Sequence, residues 1–303
     1  MAAPIAFNTQ FDPQTGEAVP VAPGLVRVTA PNASAYTFTG TNSFVLGRER
    51  LALLDPGPDD PAHLAALRRA MAGRALETII LTHTHRDHSA AAARLAREFA
   101  VPLWFGGPHR LSRPLHRFER NRLTRACDWS LVPDRTLVDG ETIAAGDVSL
   151  SVHTTPGHCA NHLAFGLGDV LLSGDHVMGW NSTLVSVPDG SMKDYLASLD
   201  KVIALPQRRY VPAHGGEIAD GPGFAEALRA HRRQRNEQVV AAVDDGARTV
   251  RAIVAAIYPR QSPLVRRAAS MTIMAHVEYL EQQGRLSLRR SLFGVRVSPA
   301  PRP

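Results

Sequence analysis

Three histidines and one aspartate fall within six consecutive positions of this 303-residue sequence, at His83, His85, Asp87 and His88. Imidazole and carboxylate groups at this density are typical of a metal-binding loop. Side chains alternate along an extended segment, so His83 and His85 are expected to project to the same side and to contact one cation. Asp87 and His88 follow past the next bend, where they are expected to contact a neighbouring cation. The spacing therefore predicts a site for two metal ions.

Two metal ions need more ligands than these four residues, and three later segments supply groups of the same kind. In each segment a short predicted strand ends at a metal-type side chain beside a glycine, which allows two backbones to approach closely. The three side chains are His158 after residues 148–152, Asp175 after residues 170–172, and His214 after residues 209–213.

The whole pattern resembles the metallo-β-lactamase superfamily, whose signature is a His-x-His-x-Asp-His loop followed by Pro-Gly-His, Gly-Asp and a late histidine. All seven positions of that signature are present. The resemblance implies a first metal on His83, His85 and His158, a second metal on Asp87, His88 and His214, and Asp175 bridging both. Two zinc ions are expected, although manganese or iron would accept the same ligands.

Asp175 separates the branches of that superfamily. The antibiotic-degrading lactamases lack the bridging aspartate and are exported behind a signal peptide, whereas residues 1–8 have no basic start and no long apolar core. A secreted β-lactamase is therefore disfavoured. Glyoxalase-type thioesterases, lactonases and nucleases of the superfamily carry the aspartate, and this chain resembles that group.

The predicted pair of ions implies a hydrolytic mechanism. A water bridging two divalent cations is expected to lose its proton near neutral pH and to supply a metal-bridging hydroxide. Asp87 is expected to orient that hydroxide and to pass its proton to the leaving group. By the resemblance, Asp55 is expected to support the metal loop from behind.

The surrounding sequence predicts an α/β fold. Apolar runs predict strands at residues 25–28, 43–46 and 51–54, and helices are predicted from Pro61 to Gly73, from Ser89 to about Phe99 and over about 192–204. Asp139-Gly140 and Gly168-Asp169 are predicted hairpin turns. Two strand-rich halves with helices outside correspond to the four-layer αββα sandwich of the family. The catalytic domain is predicted over residues 1–221.

Residues 222–303 are predicted to form a second, winged-helix-like domain. Helices are predicted at about 222–244, 248–257 and 263–282, and the segments 284–290 and 293–297 resemble a two-stranded wing. This region holds 14 arginines, no lysine and six acidic residues, an excess of eight positive charges. The combination resembles the β-lactamase-like endoribonucleases and their bacterial relatives, and a winged helix with this charge is compatible with nucleic-acid binding.

Two classes of function remain open at this point. The first is hydrolysis of a small acyl substrate, namely a thioester, ester or lactone, as in hydroxyacylglutathione hydrolases. The second is metal-dependent cleavage of single-stranded RNA through the basic tail. Aromatic residues for base stacking are sparse at 6%, and the only lysines are Lys193 and Lys201, so the arginine excess is equally compatible with a solvated surface or a homodimer contact.

Composition places further bounds on the chain. With 44% hydrophobic and 20% charged residues it is ordinary for a globular protein, and no stretch reaches membrane-spanning length. Two cysteines, Cys127 and Cys159, argue against a disulfide framework and favour the cytoplasm. Cys159 is expected to be a small buried residue.

Other regions near the predicted site carry weaker signals. The arginine-dense, proline-broken segment 106–130 is either a lid over the site or a solvated loop. His162 is expected to support a ligand, and four residues after Asp175 are the candidates to line the substrate pocket. They are His176, Trp180, Asn181 and Ser182. His63, His153 and His276 are expected to lie on helix or strand faces without partners.

Overall fold

A computed structural model describes residues 5–292 and 294–301, and in it the first half of the chain forms a seven-stranded sheet whose strands lie side by side in chain order. The strands are β1 (Val19–Ala22), β2 (Leu25–Thr29), β3 (Asn42–Leu46), β4 (Arg50–Leu54), β5 (Ala75–Ile80), β6 (Leu103–Phe105) and β7 (Arg135–Thr136). Strands β1 to β4 pair antiparallel and β4 to β7 pair parallel. The three early strands predicted from the sequence are confirmed as β2, β3 and β4.

A second sheet of five strands follows. Its strands are β8 (Thr142–Ala145), β9 (Val148–Thr154), β10 (Leu163–Leu167), β11 (Val170–Gly174) and β12 (Arg209–Pro212), in the spatial order β12-β11-β10-β9-β8. Because β10 is antiparallel to both β9 and β11, and β12 is parallel to β11, strands β9, β11 and β12 run in one direction. Their carboxyl ends therefore meet at one edge of this sheet.

Four helices connect these strands: α1 (Pro61–Met71), α2 (Arg86–Ser89), α3 (Ala92–Phe99) and α4 (Met192–Ile203). Helix α1 begins as predicted, with the Asp60 carboxylate accepting the His63 backbone N–H at 2.9 Å. The predicted continuous helix from Ser89 to Phe99 is wrong at its start. The His85 carbonyl accepts the backbone N–H and the hydroxyl of Ser89, which closes a helical turn that begins already at Arg86.

The layers are those predicted for the αββα sandwich. Side chains of both sheets interdigitate in a central core that includes Phe44, Leu54, Phe165 and Leu172. Helices α1 and α3 pack on the outer face of the first sheet. Helix α4 covers the outer face of the second sheet together with the first half of the helix that follows β12.

The two predicted hairpin turns have different outcomes. Gly168-Asp169 joins the antiparallel strands β10 and β11, so that prediction is confirmed. Asp139-Gly140 does not form a hairpin, because β7 before it belongs to the first sheet and β8 after it belongs to the second. The local turn chemistry is present there, but the chain uses it to cross between sheets.

The C-terminal part contains α5 (Gly221–Asp244), α6 (Val250–Ile257), α7 (Pro263–Gln282) and the antiparallel pair β13 (Leu286–Ser291) and β14 (Gly294–Pro299). Three helices and a two-stranded wing were predicted here; Phe293, in the predicted second wing segment, lies outside the described residues. Helix α5 contributes Leu228 to the core between the second sheet and α4, and Val243 to the C-terminal core. It therefore links both cores, and the domain limit at residues 221 and 222 stays a prediction.

Within residues 5–292 and 294–301, none of the helices combines the length and the apolar character that crossing a bilayer would require.

Candidate metal centre

The His-x-His-x-Asp-His segment follows the carboxyl end of β5 and enters α2. His83 and His85 precede the helix, and the structure brings His83 Nε2 within 3.0 Å of His85 Nδ1, on one side as predicted. Asp87 and His88 lie in the short helical turn of α2 and point to a different position. The change from extended to helical backbone between His85 and Asp87 thus separates the four side chains into two pairs.

The other three predicted residues come from the edge where β9, β11 and β12 end. Asp175 directly follows β11, His214 comes two residues after β12, and His158 stands in the turn after β9. A hydrogen bond from Leu163 N to the Thr82 carbonyl at 2.7 Å ties this edge to the loop after β5. Ligand-type side chains from both sheets therefore meet at one end of the sandwich.

Glycines make this close approach possible at two of the strand ends. Gly157 has φ +139°, and a Cβ atom there would lie 2.4 Å from the Tyr195 Cα atom of α4. Gly174 has φ +52°, and its Cβ atom would lie 2.6 Å from Nε2 of His162. A larger residue at either position would displace His158 or Asp175, which are the next residues in the chain.

The structure groups the seven predicted residues into two triads joined by one carboxylate. We call His83, His85 and His158 the first triad and Asp87, His88 and His214 the second triad. In each triad the ligand atoms lie within 4.8 Å of one another. His158 Nε2 is 2.8 Å from His85 Nδ1, and His214 Nε2 is 3.3 Å from Asp87 Oδ2.

Asp175 stands between the two triads. Its Oδ2 lies 3.4 Å from His158 Nε2 in the first triad, and its Oδ1 lies 3.3 Å from His214 Nε2 and 3.5 Å from His88 Nε2 in the second. This position is the one that the resemblance implied for a bridging ligand. The ligand roles of all seven residues stay predictions.

Each of the five triad imidazoles has one nitrogen directed at the centre and the other directed at a protein oxygen. The outer contacts are His83 Nδ1 to Thr82 Oγ1 at 3.0 Å, His85 Nε2 to Asp189 Oδ2 at 2.9 Å, His88 Nδ1 to Asp55 Oδ2 at 2.9 Å, His158 Nδ1 to the Leu184 carbonyl at 2.8 Å and His214 Nδ1 to the Gly40 carbonyl at 3.2 Å. An outer N–H donated to oxygen leaves the inner nitrogen with a free lone pair, which is the form that binds a metal.

Asp55 lies behind the metal loop, as the resemblance implied. Its carboxylate accepts hydrogen bonds from the Thr82 N–H at 2.7 Å, from the Thr82 hydroxyl at 2.6 Å and from His88 Nδ1. The Thr82 hydroxyl in turn accepts the outer N–H of His83. One buried carboxylate therefore orients an imidazole of each triad.

Asp189 performs the corresponding role for His85 and was missed by the sequence reasoning. Its fully buried carboxylate accepts His85 Nε2 at 2.9 Å and His109 Nε2 at 2.8 Å. Burial alone would raise the pKa of Asp189, but the hydrogen bonds from His109 and His85 hold it well below its usual range. Residues 187–190 read Val-Pro-Asp-Gly, a sequence typical of an exposed turn, so no sequence signal marked this residue.

The 106–130 segment is docked against the centre rather than detached from it. His109 is buried, and the Thr84 hydroxyl lies 2.8 Å from its Nδ1. Cys127 lies close to His85 and Asp189, but its thiol donates to the Leu123 carbonyl at 3.0 Å and burial raises its pKa, so it fits a neutral packing group. The segment is thus an insertion packed against the site and not a loop that is solvated throughout, and its role as a lid stays a prediction.

The remaining histidines divide into one confirmed prediction and several wrong ones. His162 supports Asp175 as expected, because its Nε2 accepts the Asp175 N–H at 3.0 Å. His176 does not line a pocket, since it is fully buried and packs on the Tyr195 ring. The three histidines predicted to lack partners each have one: His63 with Ser43, His153 with Ser151 and His276 with Asn236.

Trp180, Asn181 and Ser182 remain at least partly accessible, as expected of pocket residues. Trp180 stacks on Phe38 with ring centroids 4.9 Å apart, and a Cβ atom on Gly215, next to His214, would lie 3.0 Å from its ring. This aromatic pair therefore borders the second triad. Cys159 is fully buried, as expected.

Electrostatics distinguish the two triads. Burial lowers the pKa of His158 to about 4, and the neighbouring His85 adds to this effect. Burial also lowers the pKa of His83 well below its ordinary value. In the second triad burial acts in the same direction, but the carboxylates of Asp175 and Asp87 outweigh it and raise the pKa of His214 to about 9. The second triad thus attracts positive charge strongly.

The residues fit a pair of bound cations. Three buried inner atoms, His88 Nε2, His214 Nε2 and Asp175 Oδ1, make no hydrogen bond to any residue that the structure describes. Buried polar atoms without partners are costly, and a metal ion at the centre would satisfy all three. Five imidazoles and two carboxylates form a ligand set that suits zinc and also manganese or iron.

Two known family models match the chain. The family model described as "Metallo-beta-lactamase superfamily" matches residues 36–214, and the model described as "Beta-lactamase associated winged helix domain" matches residues 249–288. The chain belongs to the metallo-β-lactamase superfamily, a superfamily of hydrolases, and carries a C-terminal winged helix domain. The resemblance and fold class predicted from the sequence are confirmed.

Individual relatives extend this similarity over most of the chain. It is 27% identical over 285 residues to beta-lactamase-like protein 2 homolog of Drosophila melanogaster, covering 88% of this chain and 91% of that protein. It is 26% identical over 232 residues to atrochrysone carboxyl ACP thioesterase of Aspergillus chevalieri, covering 74% and 67%. A metallo-β-lactamase family protein of Thermus thermophilus has a solved structure that matches with a TM-score of 0.74 at 26% identity, covering 92% and 99%.

Proposed function

We propose that this protein is a binuclear, metal-dependent hydrolase of small acyl substrates, namely thioesters, esters or lactones. The observation that carries the proposal is the pairing of two triads around Asp175, with every outer imidazole nitrogen hydrogen-bonded to protein oxygen. A centre organised in this way has its inner nitrogens oriented to hold two cations.

Zinc is the metal we propose, on His83, His85 and His158 at one position, on Asp87, His88 and His214 at the other, and with Asp175 shared. Two divalent cations held there would activate water for attack and polarise the carbonyl of the substrate. The raised pKa of His214 supports the assignment of its position, because an electronegative pocket that attracts a proton also attracts a cation.

Asp87 is the residue that we propose to act in proton transfer. Its side chain is 29% exposed, whereas those of Asp175 and His158 are 9% and 6% exposed. It is therefore the carboxylate of the centre most accessible to an incoming substrate. Burial raises the pKa of Asp87, but His88 and His214 outweigh this and keep the group ionised, as a proton acceptor must be.

An acyl substrate is supported by the relatives. The similar protein of Aspergillus chevalieri is named as a thioesterase, and its similarity covers 74% of this chain. Thioester hydrolysis needs a polarised carbonyl and an activated water, which is the chemistry that the proposed centre supplies.

The decisive test compares a thioester and an RNA on the same preparation. Zinc-loaded protein is assayed with lactoyl-glutathione and with a labelled single-stranded RNA, and zinc per chain is measured by elemental mass spectrometry. The Asp87→Ala/His88→Ala variant is the blank. His153→Ala/Asp169→Ala removes the same residue types outside the centre and is the matched control.

Thioester cleavage that is lost in the blank and kept in the control supports the proposal. Activity that survives in the blank would mean that the ligand assignment is wrong. Cleavage of RNA alone would replace the proposal by its alternative, a metal-dependent endoribonuclease. That alternative is favoured by one observation, the excess of eight positive charges in residues 222–303.

A further inference from the structure

A large cleft lies beside the metal centre and takes no part in holding the predicted ligands. It has a volume of about 1070 Å³ and lies between residues 118–122, helices α6 and α7, the start of β14, and the loop residues Ser186 and Val187. We call it the arginine cleft, after the five arginines that line it. They are Arg120, Arg122, Arg251, Arg266 and Arg267.

The charge of the arginine cleft is not balanced by its own lining. Glu119 is its only acidic residue among those described, and both Glu119 oxygens already accept from Arg113 at 2.6 and 2.8 Å. Within the described part of the chain, the guanidinium groups of Arg120, Arg122, Arg251 and Arg267 make no ion pair, and none of them donates a hydrogen bond. Several guanidinium groups that face one cavity in this state suit a ligand with several phosphate groups.

Apolar side chains form the rest of the lining. Val254, Met271 and Met274 come from α6 and α7, and Val187 comes from the loop that also borders the metal centre. Phe118 is the only aromatic residue in the described lining, and it is 59% exposed. A long, flexible and largely apolar arm fits this surface, and the methionines allow it to adapt.

The arginine cleft and the metal centre share one wall. The Leu184 carbonyl accepts His158 Nδ1, and Asp189 accepts His85 Nε2, so residues 184–189 hold two members of the first triad. Ser186 and Val187, between these two contacts in the chain, line the cleft. The cleft and the first triad therefore adjoin the same short loop, residues 184–189.

We propose that the arginine cleft binds the phosphate groups of a coenzyme A thioester, with the pantetheine arm lying along the apolar lining toward the metal centre. This inference rests on the proposed acyl hydrolysis. The reaction forms a C–O bond to water and breaks the C–S bond, which releases the carboxylic acid and the thiol of coenzyme A. The arginine cleft holds the leaving group and contributes binding energy remote from the reacting bond.

Two other phosphate ligands match the arginine cleft less well. A single-stranded RNA binds through successive stacked bases, and one described aromatic residue does not provide that platform. An acyl carrier protein presents one phosphodiester on its pantetheine arm, whereas coenzyme A presents three phosphate groups. Four arginines of the cleft are available to them, because the Arg266 guanidinium already donates to the Tyr258 and Pro259 carbonyls. Coenzyme A is therefore the ligand to which the charge and the lining together point.

The binding test uses desulfo-coenzyme A, which has no thiol to bind zinc, and isothermal titration calorimetry on the zinc-loaded protein. Arg251→Glu/Arg267→Glu is compared with Arg233→Glu/Arg289→Glu, which makes the same charge change at exposed positions outside the arginine cleft. Loss of two charge-assisted contacts is expected to raise the Kd on the order of 100-fold in the first variant only. If the double variant misfolds, the single variant Arg251→Gln replaces it, and its Kd for desulfo-coenzyme A is expected to rise about tenfold.

Kinetics then separate this inference from the function on which it rests. Acetyl-coenzyme A and the acetyl thioester of N-acetylcysteamine share the reacting bond, but only the first has phosphates. The cleft variant is expected to lose kcat/KM for acetyl-coenzyme A and to keep it for the truncated thioester. If the unsubstituted protein hydrolyses the truncated thioester but does not bind desulfo-coenzyme A, the cleft assignment alone is overturned. The same conclusion follows if the charge-matched control loses as much kcat/KM for acetyl-coenzyme A as the cleft variant does. Hydrolysis of neither thioester overturns both proposals.

Discussion

The metal centre and the arginine cleft both adjoin residues 184–189 and use charged groups in opposite ways. In the centre, every imidazole of the two triads is bonded to a protein oxygen on its outer side, and six of the seven predicted ligands are less than 10% exposed. In the cleft, four guanidinium groups have no partner among the described residues. The first arrangement fixes a geometry, whereas the second keeps charges available for a ligand that enters and leaves.

This difference has an energetic reason. A buried ion or imidazole must be satisfied by fixed partners, because leaving it unpaired is costly in a low-dielectric interior. An exposed arginine is solvated and needs no partner, so it is free to exchange water for a phosphate. The contrast predicts that substitutions in the centre affect metal binding and chemistry, while substitutions in the cleft affect only recognition.

The largest expected effect is at Asp175, the group shared by both triads. Asp175→Asn keeps the volume but removes the charge that attracts two cations, so we expect a fall in kcat/KM on the order of 100- to 1,000-fold for thioester substrate and loss of bound zinc. Asp169→Asn, at the exposed Gly168-Asp169 turn, is the control and should behave like the unsubstituted protein. Full zinc content and full turnover in Asp175→Asn would contradict the bridging assignment.

The next effect concerns Asp189, which orients His85 without being a predicted ligand. Asp189→Asn should weaken zinc binding about 10- to 100-fold, because the outer N–H of His85 loses its carboxylate acceptor. Competition with a chromophoric chelator measures the affinity, and the absorption spectrum of the cobalt-substituted protein reports the geometry at the first triad. An unchanged spectrum with a lower melting temperature would assign Asp189 a purely structural role.

The third prediction uses the different pKa values of the two triads. Without metal, His214 with a pKa of about 9 is protonated at pH 7, whereas His158 with a pKa of about 4 is neutral. A metal must displace the proton from His214, so affinity at the second triad falls as pH falls below 9, by about tenfold per pH unit for each displaced proton. In the first triad, by contrast, His158 stays neutral down to about pH 4, and burial also holds the pKa of His83 well below its ordinary value.

We therefore expect the two zinc ions to be lost in sequence on acidification. The protein is dialysed at pH values from 8 to 5, and zinc per chain is then measured. The zinc at the second triad should be lost at a higher pH than the zinc at the first triad. Loss of both zinc ions at the same pH would contradict the proposed difference in imidazole pKa between the two triads.

Much of the centre was predictable because its residues are distinctive where they stand in the chain. His83, His85, Asp87 and His88 are adjacent, and the later groups each follow an apolar run beside a glycine, so local pattern and family resemblance together named all seven. The strand directions then explain why these positions meet. The strands β2 to β4 and the helix α1 were likewise predictable from apolar runs and from the Asp60-Pro61 cap.

The residues that were missed depend on contacts between distant parts of the chain. Asp189 is 104 positions from His85 and 80 from His109, and nothing in its own Val-Pro-Asp-Gly context distinguishes it from a surface turn. The hairpin predicted at Asp139-Gly140 was wrong for the same reason, because the residues of a turn do not determine which sheet contains the next strand. The prediction that His176 lines the pocket was wrong. It relied on the position of His176 next to Asp175, whereas packing on Tyr195 buries the side chain.

The smallest expected effect is on the stability of the arginine cleft variant. Arg251→Glu/Arg267→Glu alters exposed side chains that have no described partner, so we expect the free energy of unfolding to change by no more than about 0.5 kcal/mol per site. Arg113→Ala provides the contrast, because Arg113 pairs with Glu278, whose side chain is only 7% exposed, and its loss should cost about 3 kcal/mol. Urea unfolding measures both. A large decrease in the free energy of unfolding of the cleft variant would show that Arg251 and Arg267 stabilise the fold. The cleft would then not be a surface that acts only in recognition.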